Sequence, residues 1–521
     1  MHNMKKSPLY ISALCAGMAL FGSLSDAASS DAATDNQPNI IFIMSDDHTS
    51  QAVGAYGGHL AELNPTPTID RLADNGMRFD HVFTHNSICT PSRANILTGQ
   101  YSRTNGVQIL GQPLPPERQY LPIELKKAGY QTAAIGKWHL NAEPAAFDFY
   151  TVLPGQGDYF DPTFRVRGPK PWPENTIQKV GYHSSDAITE LTLDWLGNER
   201  DPDRPFFLAH HYKAPHDMFD NAPRYDDYLA DVTIPEPANL RQRPAGSVAT
   251  EDKGSGMSKY ARWRLGERIG VDTRLGDIAF FDTTYQTYLK RYLRCVKGVD
   301  DGVAQLLDYL ETNDLLENTL IVYTGDQGFL LGEHDLMDKR WMYEESFRMP
   351  FIVHWPKAIQ PGQTNDWLID NTDFAPTLLE VAGVETPDYM QGKSFAAALH
   401  GEPMPDDWRE AVYYRYWMHM AHNLEVPAHF GIRTDRYKLI FFYGIDFEGS
   451  GRPPKPPTPA AWEFYDLEKD PSEMINRYHE PAYQDIIAEM KVQLRDTREE
   501  LNENDAAYPE IQFIIDRYWD Q

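Results

Sequence analysis

The segment Cys89-Thr90-Pro91-Ser92-Arg93 combines a nucleophile, a helix start and a cation within five positions. Pro91 suits the first turn of a helix, and that turn presents unpaired N–H groups and the positive end of the helix dipole. A helix start of this kind favours anions. Because a thiol and the Arg93 guanidinium lie beside it, the segment predicts nucleophilic attack on an anionic ester.

The same segment, continued by Ala94-Asn95-Ile96-Leu97-Thr98-Gly99, resembles the sulfatase signature Cys/Ser-x-Pro-Ser-Arg-x-x-x-Leu/Ile-Thr-Gly. A second motif of that family is similar to the stretch from Gly129 to His139, and the resemblance runs from Pro38 to about Pro471. It implies an alkaline phosphatase-like α/β fold. It also implies oxidation of Cys89 to formylglycine, an aldehyde whose hydrate attacks a sulfate ester.

Five short apolar runs predict buried strands of a mostly parallel sheet with helices between them. They cover residues 39–44, 130–135, 205–210, 319–323 and 350–355. Polar residues follow four of these runs directly, namely Asp46 and Asp47, Lys137 and His139, Lys213 and His216, and Asp326 and Gln327. Since open α/β sheets bind ligands at the carboxyl ends of their strands, we expect these side chains to meet at one edge.

Asp46, Asp47, Asp326 and Gln327 form an all-oxygen set that suits Ca²⁺ or Mg²⁺ rather than zinc. Adjacent carboxylates repel one another unless a cation lies between them or one of them is protonated. The resemblance places metal ligands at these four positions and at Cys89. It implies Ca²⁺ in preference to Mg²⁺.

The resemblance also implies the roles of the remaining site residues. His216, with Lys339, protonates the departing sugar oxygen, and His139 removes the proton that releases sulfate and restores the aldehyde. Arg93 and Lys137, again with Lys339, neutralise the sulfuryl oxygens.

The pattern of the chain changes near Gly401. Before it we predict a large catalytic α/β domain over residues 28–400, which includes a helix opened by Thr66-Pro67 and a long helix near 283–310. After it we predict a smaller α+β domain over residues 401–521, with antiparallel strands near 413–417, 431–440 and 462–466 and a closing helix. Residues 239–269 are predicted to be an exposed insertion and 451–459 a proline-rich loop.

The N-terminus predicts export. Lys5 and Lys6 precede an apolar stretch that ends near Ser25-Asp26-Ala27, so residues 1–27 read as a signal peptide, and the stretch is too short for a membrane span. We therefore expect a periplasmic or secreted protein without a membrane anchor. Without that peptide only Cys89 and Cys295 remain, which leaves no disulfide framework, and Cys295 is predicted to be a buried core thiol.

The net charge of −28 argues against nucleic acid as a partner. It also requires a local basic cluster at any site that accepts a sulfated polyanion. Export favours a sulfated polysaccharide or oligosaccharide as substrate, with an algal galactan such as carrageenan placed first. A glycosaminoglycan and a small aryl or choline sulfate are the alternatives. We expect sugar contacts from His211, His422, His429 and Arg433.

Maturation of Cys89 implies a further partner, either a formylglycine-generating enzyme or an anaerobic maturase. Two other functions remain open at this point. One is a phosphodiesterase or phosphonate hydrolase of the same superfamily. The other is a non-catalytic sulfoglycan-binding protein in which Cys89 is unmodified. The sequence leaves the oligomeric state open.

Overall fold

The structure is a computed structural model, and it describes residues 37–247, 256–257 and 265–521. The predicted signal peptide and part of the predicted insertion therefore lie outside the described residues. Residues Pro38–Gln521 form one compact unit. None of the described helices combines the length and the apolar character that a bilayer crossing requires.

The strands, in chain order, are β1 (Asn39–Asp46), β2 (Met77–Phe79), β3 (Val82–Phe83), β4 (Gln131–Lys137), β5 (Phe149–Leu153), β6 (Thr163–Val166), β7 (Thr176–Gln178), β8 (Phe206–Pro215), β9 (Thr319–Gly325), β10 (Leu330–Leu331), β11 (Met337–Asp338), β12 (Phe351–His354), β13 (Gln363–Asn365), β14 (Ile369–Asp370), β15 (Val412–Tyr416), β16 (His429–Arg433), β17 (Tyr437–Phe442) and β18 (Ala461–Asp466). The α-helices are α1 (Pro67–Asp74), α2 (Cys89–Thr98), α3 (Ser102–Asn105), α4 (Tyr120–Lys127), α5 (Ser184–Asp194), α6 (Asp277–Thr312), α7 (Glu344–Phe347), α8 (Phe374–Val381), α9 (Ala396–Leu399), α10 (Gln484–Glu500) and α11 (Pro509–Tyr518).

Ten strands form the central sheet in the order β13-β2-β12-β9-β1-β8-β4-β5-β6-β7. Its middle, from β9 to β5, is parallel throughout, while β12, β6 and β7 pair in the antiparallel sense. The strands predicted from apolar runs are therefore present. The predicted fold class, a mostly parallel α/β sheet, is confirmed.

A hydrophobic core covers each face of this sheet. Successive side chains of a strand point to opposite faces, so alternate residues of one strand enter different cores. On β1, Ile41 and Ile43 belong to one hydrophobic core, and Ile40 and Phe42 belong to the other. Helix α6 packs in the first core and places Cys295 there at 1% exposure, as predicted. Helices α2, α4 and α8 contribute to the second core.

The C-terminal part forms a second, four-stranded antiparallel sheet in the order β15-β16-β17-β18. Its buried residues join the core that contains α6. Helix α10 confirms the predicted closing helix. Helix α11 is an addition that the sequence analysis did not predict, although Ile511 and Ile515 lie at helical spacing on its buried side.

Candidate active site

The site lies where the central parallel strands end. Strand β1 ends at Asp46, β4 at Lys137, β8 at Pro215 and β9 at Gly325. The polar residues that follow these strands come together with Cys89, the first residue of α2. The edge predicted from the strand ends is therefore the edge at which these side chains meet.

Three carboxylates are buried side by side. Asp46, Asp47 and Asp326 each offer an oxygen within 4.8 Å of the others, and none is more than 1% exposed. The backbone N–H of Asp47 donates to Oδ1 of Asp326 at 3.1 Å, and Nε2 of Gln327 donates to Oδ1 of Asp47 at 2.5 Å. Oε1 of Gln327 is buried without a hydrogen-bond partner. Buried carboxylates beside an unsatisfied amide oxygen fit a hard divalent cation.

Cys89 is nearly inaccessible and lies between a carboxylate and an amine. Its Sγ is 3.3 Å from Oδ1 of Asp46 and 3.2 Å from Nζ of Lys339. Burial raises the pKa of the Cys89 thiol to about 12, although Lys339 opposes the shift. The unmodified side chain is therefore a neutral thiol near neutral pH, which is a poor nucleophile.

Three cations face the three carboxylates. Nε of Arg93 donates to Asp326 at 3.0 Å, and its Nη1 donates to the Lys137 carbonyl at 2.9 Å. Lys137 pairs with Asp46, and Lys339 pairs with Asp47. The positive groups that a sulfate ester requires are thus supplied locally, despite the negative charge of the whole chain.

Burial and the neighbouring charges together shift the pKa values of this cluster in different directions. Burial raises the pKa of Asp47 to about 7 against the attraction of Lys339. Burial opposes ionisation of Asp326 as well, but Arg93 and Lys339 outweigh it and lower its pKa to about 2. Burial and the neighbouring Lys213 hold the pKa of Lys137 well below its usual range.

Two histidines lie beside this cluster of carboxylates and cations. His139 and His216 are 9% and 8% exposed, more than any of the carboxylates. Burial lowers the pKa of His139 to about 2 and that of His216 to about 3, and the neighbouring cation Lys137 adds to both shifts. Asp47 and His139 have left-handed backbones, with φ of 66° and 53°. Such conformations persist where the surrounding structure enforces them, and they concentrate at functional sites.

Two of the four predicted sugar contacts lie near this cluster. Nδ1 of His211 is 3.2 Å from the Lys137 carbonyl oxygen, and its ring packs edge-on against Phe42. His422 is exposed, and its Nδ1 lies 3.2 Å from Nη2 of Arg340, the residue after Lys339.

The other two are engaged by neighbouring side chains of the protein, and their role as sugar contacts stays a prediction. His429 is fully buried, because both faces of β16 are covered, and its ring stacks on Tyr414 and packs against Phe442. Arg433 pairs with Glu344 at 3.4 Å in a groove that it shares with His81. Among the described residues, no catalytic candidate lines that groove.

The sulfatase family model matches residues 38–384 of the chain. The chain belongs to the sulfatase family. A second model, described as "N-sulphoglucosamine sulphohydrolase, C-terminal", matches residues 332–500. Sulfatases generally use formylglycine and a divalent metal. The carboxylates around Cys89 give this sulfatase a place for such an ion.

Similar proteins include an N-acetylglucosamine-6-O-sulfatase of Bacteroides thetaiotaomicron, which is 39% identical over 93% of this chain and 90% of the relative. A structure solved in complex with its substrate D-glucosamine-2-N,6-O-disulfate is 38% identical and covers 90% of this chain and 99% of its own, with a TM-score of 0.79. A crystal structure solved in complex with k-i-k-neocarrahexaose is 20% identical and covers 89% of this chain and 93% of its own, with a TM-score of 0.64, so the likeness shows the fold alone. The carrageenan expectation is thus less well supported than its glycosaminoglycan alternative.

Sequence reasoning missed residues of the sulfatase that contact the candidate catalytic residues. Lys137 Nζ donates to Oε1 of Gln156 at 2.5 Å. Asp217 contacts the ring of His216, and the Tyr159 hydroxyl donates to the His216 carbonyl at 2.5 Å. The position of Asp217 directly after Pro215 and His216 was the available signal for one of them. Gln156 and Tyr159 lie in an irregular loop between β5 and β6, where no periodic pattern predicts contacts.

Proposed function

We propose that this sulfatase removes the 6-O-sulfate of glucosamine residues in a glycosaminoglycan or an oligosaccharide derived from one. The observation that carries the proposal is the 39% identity, over 93% of the chain, to an N-acetylglucosamine-6-O-sulfatase. The clustering of Cys89, three carboxylates and three cations at one sheet edge supports the same chemistry.

The nucleophile in this proposal derives from Cys89. Conversion by a formylglycine-generating enzyme or an anaerobic maturase supplies an aldehyde, whose hydrate is a better nucleophile than the neutral buried thiol. Asp46, Asp47, Asp326 and Gln327 would hold Ca²⁺, which supplies positive charge beside the developing negative charge. The unsatisfied Oε1 of Gln327 supports this assignment.

The cations of the site stabilise the sulfuryl group. Lys137 pairs with Asp46, Lys339 pairs with Asp47, and Lys339 Nζ also reaches Cys89 Sγ at 3.2 Å. Positive groups fixed in a buried site need no reorganisation when negative charge develops on the sulfuryl oxygens. This is the condition under which charge stabilisation contributes most to rate.

Proton transfer falls to the two histidines. A ring nitrogen of His216 lies within 4.8 Å of both Cys89 Sγ and an Asp46 oxygen, so it can deliver a proton to the departing sugar oxygen. His139 receives the proton whose removal releases sulfate. Its Nδ1 is buried without a hydrogen-bond partner and is therefore free to accept.

A polar cluster next to Lys339 is placed to bind sugar hydroxyls. Nε of Arg340 donates to Asp338 at 2.6 Å, and its Nη1 donates to the Tyr416 hydroxyl at 3.3 Å. His422 closes this cluster from the C-terminal part of the chain at 3.2 Å. A carboxylate accepts from one sugar hydroxyl and the neighbouring guanidinium donates to the next, so the pair fixes the orientation of the sugar.

Export remains part of the proposal. Residues 1–27 carry the signal-peptide pattern, and a periplasmic or secreted location gives access to extracellular glycans. Cell fractionation followed by N-terminal sequencing tests it. The proposal expects a mature N-terminus just after Ala27, and an uncleaved chain in the cytoplasm contradicts it.

A panel of defined substrates tests the activity. Purified protein is incubated with N-acetylglucosamine 6-sulfate, a sulfated neocarrabiose, an aryl sulfate and the matching aryl phosphate, and released sulfate or phosphate is measured by ion chromatography. We expect the glucosamine 6-sulfate to react fastest and the Cys89→Ala variant to release nothing. Faster turnover of the neocarrabiose or of the phosphate contradicts the proposal.

Two other functions stay distinguishable. The match of residues 332–500 to the N-sulphoglucosamine sulphohydrolase model favours N-sulfate hydrolysis as a second candidate, which regioselectivity on a disulfated sugar decides. A non-catalytic glycan-binding protein is tested by mass spectrometry of the peptide that contains Cys89. The proposed function expects an aldehyde there, and an intact thiol in native material supports the binding protein.

A further inference from the structure

His216 is held by two groups on the chain around it. Its Nδ1 lies 2.9 Å from Oδ1 of Asp217 and 2.9 Å from the Asp217 carbonyl oxygen. The Tyr159 hydroxyl donates to the carbonyl of His216 at 2.5 Å. The other ring nitrogen, Nε2, lies 3.7 Å from Oδ2 of Asp47. One nitrogen of the ring is thus engaged by Asp217, and the other faces the buried carboxylates.

The geometry points to Asp217 as a positioning residue that acts on sulfate release through His216. This inference rests on the proposed function, in which His216 protonates the departing sugar oxygen. The Asp217 carboxylate and carbonyl oxygens accept from Nδ1–H, so this proton stays on Nδ1 and the ring is held with Nε2, the nitrogen that exchanges a proton with the substrate, towards the reacting atoms. Groups that bind the second nitrogen of a functional histidine commonly fix its orientation in this way.

The step balances without a proton passing to Asp217. The ring donates from its doubly protonated form, which the neighbouring Asp217 carboxylate favours. As the hydrate oxygen derived from Cys89 bonds to sulfur, the S–O bond to the sugar breaks and its electron pair stays on the sugar oxygen. The Nε2 proton of His216 forms the new O–H bond, and the ring is left neutral. The Nδ1 proton remains shared with Asp217 throughout. Asp217 therefore contributes orientation and negative charge rather than a proton.

A different role for Asp217 is a direct contact with the sugar, because its side chain is 25% exposed and borders the cluster. A double-mutant cycle separates the two roles, since a residue that acts through His216 loses its effect when that ring is absent. The partial exposure also means that truncation of Asp217 leaves no buried cavity, so the variants are expected to fold.

The experiment measures kcat and KM for glucosamine 6-sulfate in Asp217→Ala, with and without His216→Ala. We expect Asp217→Ala to lower kcat about 10- to 100-fold with KM changed less than about threefold. In the His216→Ala background, Asp217→Ala is expected to lower kcat less than about twofold. Asp217→Asn keeps a neutral acceptor and is expected to recover part of the loss.

Asp220→Asn is the matched control, because Asp220 lies three residues further along the same segment and pairs with Arg291 instead. It is expected to change kcat less than about twofold. An equal loss from Asp217→Ala in both backgrounds, a raised KM with unchanged kcat, or no effect at all overturns the inference.

If the wild-type protein releases sulfate from no member of the panel, the proposed function fails and the inference keeps a separate readout. Nitrogen-15 NMR of His216 then reports its tautomer. The inference expects a proton on Nδ1 in the wild type and its redistribution in Asp217→Ala. Identical ring-nitrogen shifts in the two proteins overturn it.

Discussion

Replacement of Arg93 by methionine probes the charge balance of the site most sharply. The guanidinium is 3% exposed, donates to Asp326 at 3.0 Å and lies 3.8 Å from Asp46. Without it, Asp326 loses its hydrogen-bonded cation, while Lys137 and Lys339 stay paired with Asp46 and Asp47. Removing one partner of a buried ion pair lowers the free energy of unfolding by about 3–5 kcal/mol, because the charge of the other partner remains buried without a counter-charge.

The size of the thermal effect follows from the length of the folded unit. An unfolding entropy of about 2 cal/mol/K per residue over Pro38–Gln521 corresponds to about 1 kcal/mol per degree. In chelator, Arg93→Met is therefore expected to melt about 3–5 °C below the wild type. Calorimetry or dye-based melting measures this difference.

Calcium is expected to reduce the difference in Tm between Arg93→Met and the wild type. An ion at 100 times its Kd stabilises the wild type by about 2.7 kcal/mol, and it binds the variant more tightly because a neighbouring positive charge has been removed. The rise in Tm with calcium is thus larger in Arg93→Met than in the wild type. The rate of sulfate release is expected to fall about 10²- to 10³-fold.

Arg409→Met is the matched control for this prediction. Arg409 forms a buried pair with Asp373, donating from Nη2 at 2.7 Å, and lies outside the catalytic cluster. Its loss is expected to lower Tm equally in chelator and in calcium, and to leave sulfate release by the folded enzyme intact. The reasoning is refuted if Arg93→Met is as stable as the wild type in chelator, or if calcium stabilises the two proteins equally.

Three further predictions concern single positions. Cys89→Ala is expected to reduce sulfate release to background with Tm changed by less than about 2 °C, since only a small buried group is lost; retained turnover in a steady-state assay argues against a covalent nucleophile. His429→Ala is expected to lower the free energy of unfolding by about 2–4 kcal/mol in denaturant titration and to leave KM unchanged, because its ring packs in an aromatic core. His422 is exposed, and His422→Ala is expected to raise KM instead. A raised KM in the His429 variant alone would reverse this assignment. Gly136→Ala is expected to destabilise by more than about 2 kcal/mol and to misplace Lys137, because φ there is +102° and a Cβ would overlap the His211 carbonyl oxygen; a fully active variant with native Tm contradicts that reading.

The sequence predicted the catalytic edge because two signals agree there. Apolar runs mark buried parallel strands, and polar residues such as Asp46 and Lys137 follow directly where those strands end. The motif around Cys89 and the lysine at 339 added residues that no periodicity connects. These parts of the site depend on local sequence, and the structure brings Cys89 and Lys339 together with the carboxylates.

Contacts made by the tertiary fold were beyond that reasoning. His429 lies on an antiparallel strand whose two faces are both covered, so its burial depends on which elements pack over it. Asp47 and His139 have left-handed backbones, which single residues adopt within a particular tertiary context and which no periodic pattern in the sequence marks. Gln156 and Asp217 lie in loops, where the positions of side chains follow from the elements that the loops connect.

The most direct test of the account is the regiochemistry of sulfate release from D-glucosamine-2-N,6-O-disulfate. Wild-type protein whose Cys89 peptide carries the aldehyde is incubated with this sugar, and the products are identified by chromatography and mass spectrometry. The account predicts inorganic sulfate together with glucosamine that keeps its 2-N-sulfate, and no product from Cys89→Ala. Recovery of the 6-O-sulfated sugar, or of unchanged substrate, contradicts it.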